Sequence, residues 1–175
     1  MANGSSAEET TLAALGVLAQ RAAEAKRWER GALEERAAAV VAAVRAGARL
    51  EEIATAAGIT RAATSVIARK TLAPRSGRGG PYRRRRGVAA SISEVEQAAA
   101  RATAATRSRQ LAIGDRDTAV LGAAEAGIAV RSIAQAIGMD SKVVHTLIRR
   151  RRGEATQEPS GTLASPVASG GAMTS

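Results

Sequence analysis

Hydrophobic positions recur along this chain at three- and four-residue steps, which predicts helices throughout and no strand. From Thr10 to Arg27 the apolar side of one turn of helix after another is marked by Leu12, Leu15, Ala19 and Ala22. Glu8 and Glu9 sit where a helix start favours negative charge. A break is expected near Gly31. A second helix follows over 32–46, with Leu33, Ala37, Val40, Val41 and Val44 on one face and Gly47 as its terminator. Residues 50–57 form a short third helix, Gly58 and Ile59 a turn, and Thr60 caps a fourth helix over 61–71 by offering its hydroxyl oxygen to free amides.

The chain then writes the plan again. LEEIATAAGITRAATSVIARK at 50–70 is echoed by VRSIAQAIGMDSKVVHTLIRR at 130–150, with Ile53 over Ile133, Ala54 over Ala134, Gly58 over Gly138 and Arg69 over Arg149, each 80 positions apart. The same offset pairs Arg21 with Arg101, Arg27 with Arg107, Arg36 with Arg116, Val40 with Val120 and Gly47 with Gly127. Alanine matches would arise by chance in so alanine-rich a chain. These non-alanine matches at one ungapped offset indicate a tandem duplication. The expected organisation is a disordered start at 1–9, one helical domain at 10–71, a linker at 72–89, a second domain at 90–152 and a disordered tail at 153–175.

Composition narrows the picture. With no Phe, one Trp and one Tyr, the core must be thin, which favours short helices packed closely through small side chains. The absence of cysteine removes disulfides and thiolate sites, and a single histidine excludes a histidine metal cluster; no cofactor is expected. No apolar run reaches the length of a membrane helix and the first ten residues lack a signal peptide's pattern, so a soluble cytoplasmic protein is expected. No catalytic constellation assembles: the acidic residues scatter, and GRGGP in the linker lacks the Lys and Ser/Thr of a phosphate loop. A non-enzyme is expected.

The formal charge of +10 is held in two clusters. Arg75, Arg78, Arg83, Arg84, Arg85 and Arg86 account for six charges and Arg149 to Arg152 for four, so the remainder nets zero. Charge gathered in this way is the footprint of a polyanion binder.

Stretches 50–70 and 130–150 resemble the helix-turn-helix family of DNA-binding domains found in bacterial and phage repressors. The resemblance rests on Ala54 and Gly58 with Ile53, Ile59 and Ile67, and on Ala134 and Gly138 with Ile133, Met139 and Leu147. It covers about 21 residues per copy. The small residue lets two helices cross closely, the glycine accepts the turn's backbone, and the apolar positions set the second helix for a major groove. Copy one departs at Thr64, where the family usually has Val or Ile; copy two has Val144.

Carried onto this chain, the family's exposed recognition positions are Thr60, Arg61, Ala62, Ser65 and Arg69, and in copy two Ser141, Lys142, His145, Thr146 and Arg149. Arg61 and Lys142 suit guanine O6 and N7, while Ser65, Thr146 and His145 suit smaller base or phosphate contacts. Arg69 and Arg149, Arg150 and Arg151 suit phosphates. The linker arginines Arg78 and Arg83 to Arg86 suit phosphates or a narrow minor groove. Stretched over 18 residues, the linker would span about 60 Å and let the two domains reach adjacent major grooves.

The expected function is therefore sequence-specific binding of double-stranded DNA, as a transcriptional repressor or regulator reading an asymmetric site. A plasmid-partition, DNA-packaging or nucleoid scaffold is the alternative. RNA binding is disfavoured by the shortage of stacking aromatics. Leu12 and Leu15 either cover the other helices of their own domain or provide a face for self-association through the 10–27 helix.

Overall fold

The computed structural model describes residues 3–71 and 87–156 and is all helical. Its six helices are α1 (Asn3–Ala46), α2 (Leu50–Ala57), α3 (Arg61–Thr71), α4 (Val88–Glu125), α5 (Val130–Ile137) and α6 (Ser141–Thr156). No helix among the described residues is long and apolar enough to cross a membrane.

Two expectations fail in α1. The helix starts at Asn3 rather than after residue 9, and it runs through Gly31 without a break. A glycine inside a helix costs only about 1 kcal/mol relative to alanine. Burial of the neighbouring Glu29 and Ala32 against α4 outweighs that cost. At about 1.5 Å per residue, the 44 residues of α1 span about 66 Å. A rod of that length cannot fold back onto its own copy's α2 and α3 at both ends. Its first half needs another partner.

That partner is α4. Leu15 packs with Val120, Ala32 with Ala102 and Ala105, and Val40 with Val95, so residue numbers rise along one helix as they fall along the other. The pair is antiparallel. Small side chains line its middle, including Ala22, Ala25, Ala98, Ala102 and Ala105, all buried, and they let the two backbones approach closely. The charged positions nearest the seam close on each other: Arg109 Nη1 donates to Glu29 Oε2 at 2.7 Å and Arg101 Nε to Glu35 Oε2 at 3.2 Å.

The duplication is thereby turned into a pseudo-twofold axis. Buried positions repeat 80 residues on: Leu15 and Val95, Val40 and Val120, Ala43 and Ala123, Ile53 and Ile133, Thr64 and Val144, Ala68 and Ile148. Each short helix pair, α2 with α3 and α5 with α6, is completed by the other copy's first helix. Val120, Ile133, Ala134, Ile137, Val144 and Ile148 enclose Leu15 of the first copy, with Leu12 and Ala19 packed beside it. Reciprocally, Val40, Ile53 and Ala57 enclose Val88 and Val95 of the second. Neither core belongs to one half of the sequence, whereas two self-contained domains had been expected. Leu12 and Leu15 thus join the second unit's core, with α1 packed on α5, rather than covering the helices of their own copy.

Residues 72–86 lie outside the described residues, but they leave from α3 and return at Gly87, next to Val88 in the first unit's core. Both ends belong to the same unit. α1 and α4 span the distance between the units.

Candidate nucleic-acid interface

Each short helix pair is built by the same local chemistry. α2 ends at Gly58 with φ 62° and ψ 34°, and α5 at Gly138 with φ 65° and ψ 34°, the left-handed region that side chains with a Cβ avoid. The turn ties itself back to the helix. Gly58 N–H donates to Thr55 O at 3.2 Å and Ile59 N–H to Ala54 O at 3.1 Å; Gly138 and Met139 repeat the pattern at 3.3 and 2.9 Å. These crossed bonds satisfy carbonyls that a helix end otherwise leaves open.

The following helix is then capped. Thr60 Oγ1 accepts from Ala63 N–H at 3.1 Å, as the sequence indicated. In the second unit Asp140 Oδ1 accepts from Lys142 N–H at 2.7 Å, a cap the sequence reading missed although Asp directly before a helical run is a strong start signal. A carboxylate there also opposes the positive end of the helix dipole.

Thr64 proves sound where the family pattern marked it as a departure. It is fully buried, and its Oγ1 donates to Thr60 O at 3.1 Å, so the hydroxyl enters the core with its hydrogen satisfied. Val144 fills the equivalent place.

Burial of Thr64 and Ala68 on α3, and of Val144 and Ile148 on α6, fixes which face each helix turns outward. On α3, Thr60, Arg61, Ala62 and Arg69 are exposed and Ser65 is half-buried. On α6, Lys142, His145, Thr146, Arg149, Arg150 and Arg151 are exposed and Ser141 is half-buried. Arg78 and Arg83 to Arg86 fall outside the described residues. Two details refine the inventory. Arg61 makes an exposed ion pair with Glu51 at 3.5 Å, and Thr146 Oγ1 donates to Lys142 O at 2.8 Å, leaving an acceptor and a methyl group for other partners. Val66 and Val143, 50% and 47% exposed, stand on the same outward faces and are missing from the positions taken from the family pattern.

The two units pack on the same side of α1. A stripe at seven-residue steps, Leu12, Ala19, Lys26, Leu33 and Val40, runs along one side of α1. Its first two members pack on the second unit and its last lies in the core of the first, so both units sit on that side. Between them Lys26, Arg27, Arg30 and Arg109, the last two paired with Glu34 and Glu29, line an open groove of about 590 Å³. From Leu15 in one core to Val40 in the other, the rise along α1 is about 38 Å.

Comparison of the chain with protein-family models, curated proteins and solved structures finds no match.

Proposed function

We propose that the protein binds double-stranded DNA in a sequence-specific manner, with α3 and α6 entering successive major grooves on one side of the duplex, and acts as a non-catalytic transcriptional repressor or regulator. One observation carries this reading. Two short helix pairs, α2–α3 and α5–α6, with matching turn backbones sit on one side of a stiff helix pair, their cores about 38 Å apart along α1. Successive major-groove faces are about 34–36 Å apart.

The outward side chains supply the chemistry. Arg61 and Lys142 have donors for guanine, with Arg61 exchanging its weak surface pair to Glu51 for a base. Val66 and Val143 suit thymine methyl groups. Ser65, His145 and Thr146 add polar contacts, and Arg69 with Arg149 to Arg151 hold phosphates. Because the linker leaves and re-enters the first unit, Arg78 and Arg83 to Arg86 serve the half-site under α3, as Arg149 to Arg151 serve that under α6. The two faces carry different residues on equivalent frames, so the site is asymmetric. The protein would act on DNA in the cytoplasm, at the nucleoid.

Selection from a random duplex library with the purified full chain tests this. The expected product is a bipartite, non-palindromic site with half-site centres about 10–10.5 base pairs apart. Inserting five base pairs between the halves turns one half-site to the far side and should abolish binding by one chain. An unenriched library would sink the proposal. The scaffold alternative, in partition, packaging or nucleoid structure, is favoured by one observation: the side of the helix pair turned away from both units carries exposed apolar residues.

A further inference from the structure

We infer that this far side is a self-association surface, through which two copies of the chain join back to back with all four helix-turn-helix units left free. Trp28 follows Lys26 by two residues, a rotation of about 200°, which puts it opposite the stripe on which the units sit. It is 50% exposed, and with Leu18 and the 68% exposed Leu111 it lines an open groove of about 490 Å³. Val17, 53% exposed, lies on the same side three turns earlier. A chain with so few large side chains keeps its one tryptophan outside its core. Exposed clusters of this kind, anchored by Trp, are the usual centre of a protein interface.

Internal symmetry shows that the fold does not need them. Eighty residues away, the positions of Trp28 and Val17 are taken by Ser108 and Gln97, and that of Leu111 by Gly31, on the same helix pair. One half of the surface is apolar and the other is not. The charges differ in the same half. Arg101 closes on Glu35 at 3.2 Å, but at the equivalent place Asp115 is one methylene shorter than Glu35, and no ion pair joins it to Arg21 among the described residues. Arg21, Asp115 and Glu24 line the groove beside Trp28, and Glu24 Oε1 accepts from Gln20 Nε2 at 3.1 Å on its own helix.

The occupant that fits is a second copy. A groove carrying an open cation and an open carboxylate complements itself under a twofold axis: Arg21 meets the partner's Asp115, Asp115 meets the partner's Arg21, and each Trp28 covers the partner's Leu111. A partner of uniform charge would leave one of the two opposed by a like charge.

The test is sedimentation equilibrium of the full chain from about 1 to 100 µM, with tryptophan emission read on the same samples. Emission reports on this groove alone, because Trp28 is the only tryptophan. The expected species has twice the 17.9 kDa of one chain, with a blue shift tracking its formation. Leu111→Ser should weaken association roughly tenfold or more. Arg21→Asp and Asp115→Arg should each weaken it, and the two together should restore it. All three positions are exposed, so helix content should be unchanged. A wild-type monomer throughout, or a dimer indifferent to these variants, would overturn the inference. Library selection with Leu111→Ser is read separately: a monomer that still selects a site leaves DNA reading intact, and a dimer that selects none removes only that reading.

Discussion

Glu29 and Arg109 are the same position in the two copies, 80 residues apart, and they meet across the pseudo-twofold axis. Opposite charges there favour pairing of α1 with α4 over any pairing of like with like, which would set Glu against Glu or Arg against Arg. The magnitude follows from exposure. Surface pairs contribute up to about 1 kcal/mol, whereas removing one partner of a buried pair costs about 3–5 kcal/mol. With side chains 12% and 39% exposed and 2.7 Å between donor and acceptor, this pair lies between those limits. Glu29→Ala should cost about 2 kcal/mol, because Arg109 can still turn toward water. Arg109→Ala strands a nearly buried carboxylate but also removes an Nε–H that is buried with no acceptor, so its net cost should again be about 2 kcal/mol. The double variant should fall short of the sum by about 1 kcal/mol. Urea unfolding of the four proteins measures this cycle, and each single variant should lower Tm by about 4–8 °C. Exchanging the charges, Glu29→Arg with Arg109→Glu, should recover most of the loss. A coupling below about 0.3 kcal/mol, within ordinary additivity, would refute the reasoning.

Gly58→Ala and Gly138→Ala should each cost about 1–2 kcal/mol, since a Cβ meets nothing within 4 Å at either site and the penalty is left-handed backbone alone; equilibrium unfolding reads it, and a neutral result would deny that these turns need φ near +60°. Asp140→Ala should cost about 1 kcal/mol through the lost cap and reduce DNA affinity of the second unit more than the first, by binding to half-site variants. Thr64→Val should shift stability by no more than about 1 kcal/mol, because a satisfied hydroxyl is traded for a methyl group; a larger loss would mean that the bond to Thr60 O does more than satisfy a buried donor. Arg83 to Arg86 replaced by serine should flatten the salt dependence of DNA binding by about 3.6 in log-log slope, and an unchanged slope would remove the linker from the interface.

What was legible in the sequence is local. The glycines that end helices, the Thr60 cap, the buried Ile53 and Ala54 with their repeats, and the outward faces of α3 and α6 follow from patterns within a few residues. Failures came where a local rule met a tertiary one. Gly31 reads as a break, yet packing around Ala32 carries the helix through it. Val66 and Val143 are missing from the outward positions taken from the family pattern, yet the helix period turns them outward. The exchange of first helices was hidden for a deeper reason. After duplication, the side chain a core would receive from its own copy and the one it receives from the other are equivalents, such as Leu15 and Val95. Periodicity fixes a face, and symmetry makes the owner of the face unreadable.

Helix continuity resolves that ambiguity and gives the proposed function its physical basis. If α1 broke near Gly31, each unit could close on itself, and the linker would leave their separation loose. Two loosely tethered readers would tolerate many half-site spacings, since loop entropy changes only slowly with length. A continuous α1 removes that freedom: the separation becomes a number of residues multiplied by the helical rise, about 38 Å from Leu15 to Val40. Under the proposed function, spacing would then discriminate between DNA sites without a base contact, while the unlike residues on α3 and α6 would discriminate orientation. Glu29 with Arg109 acts on the same property, because it favours the one pairing of long helices that holds both units on one side of the molecule.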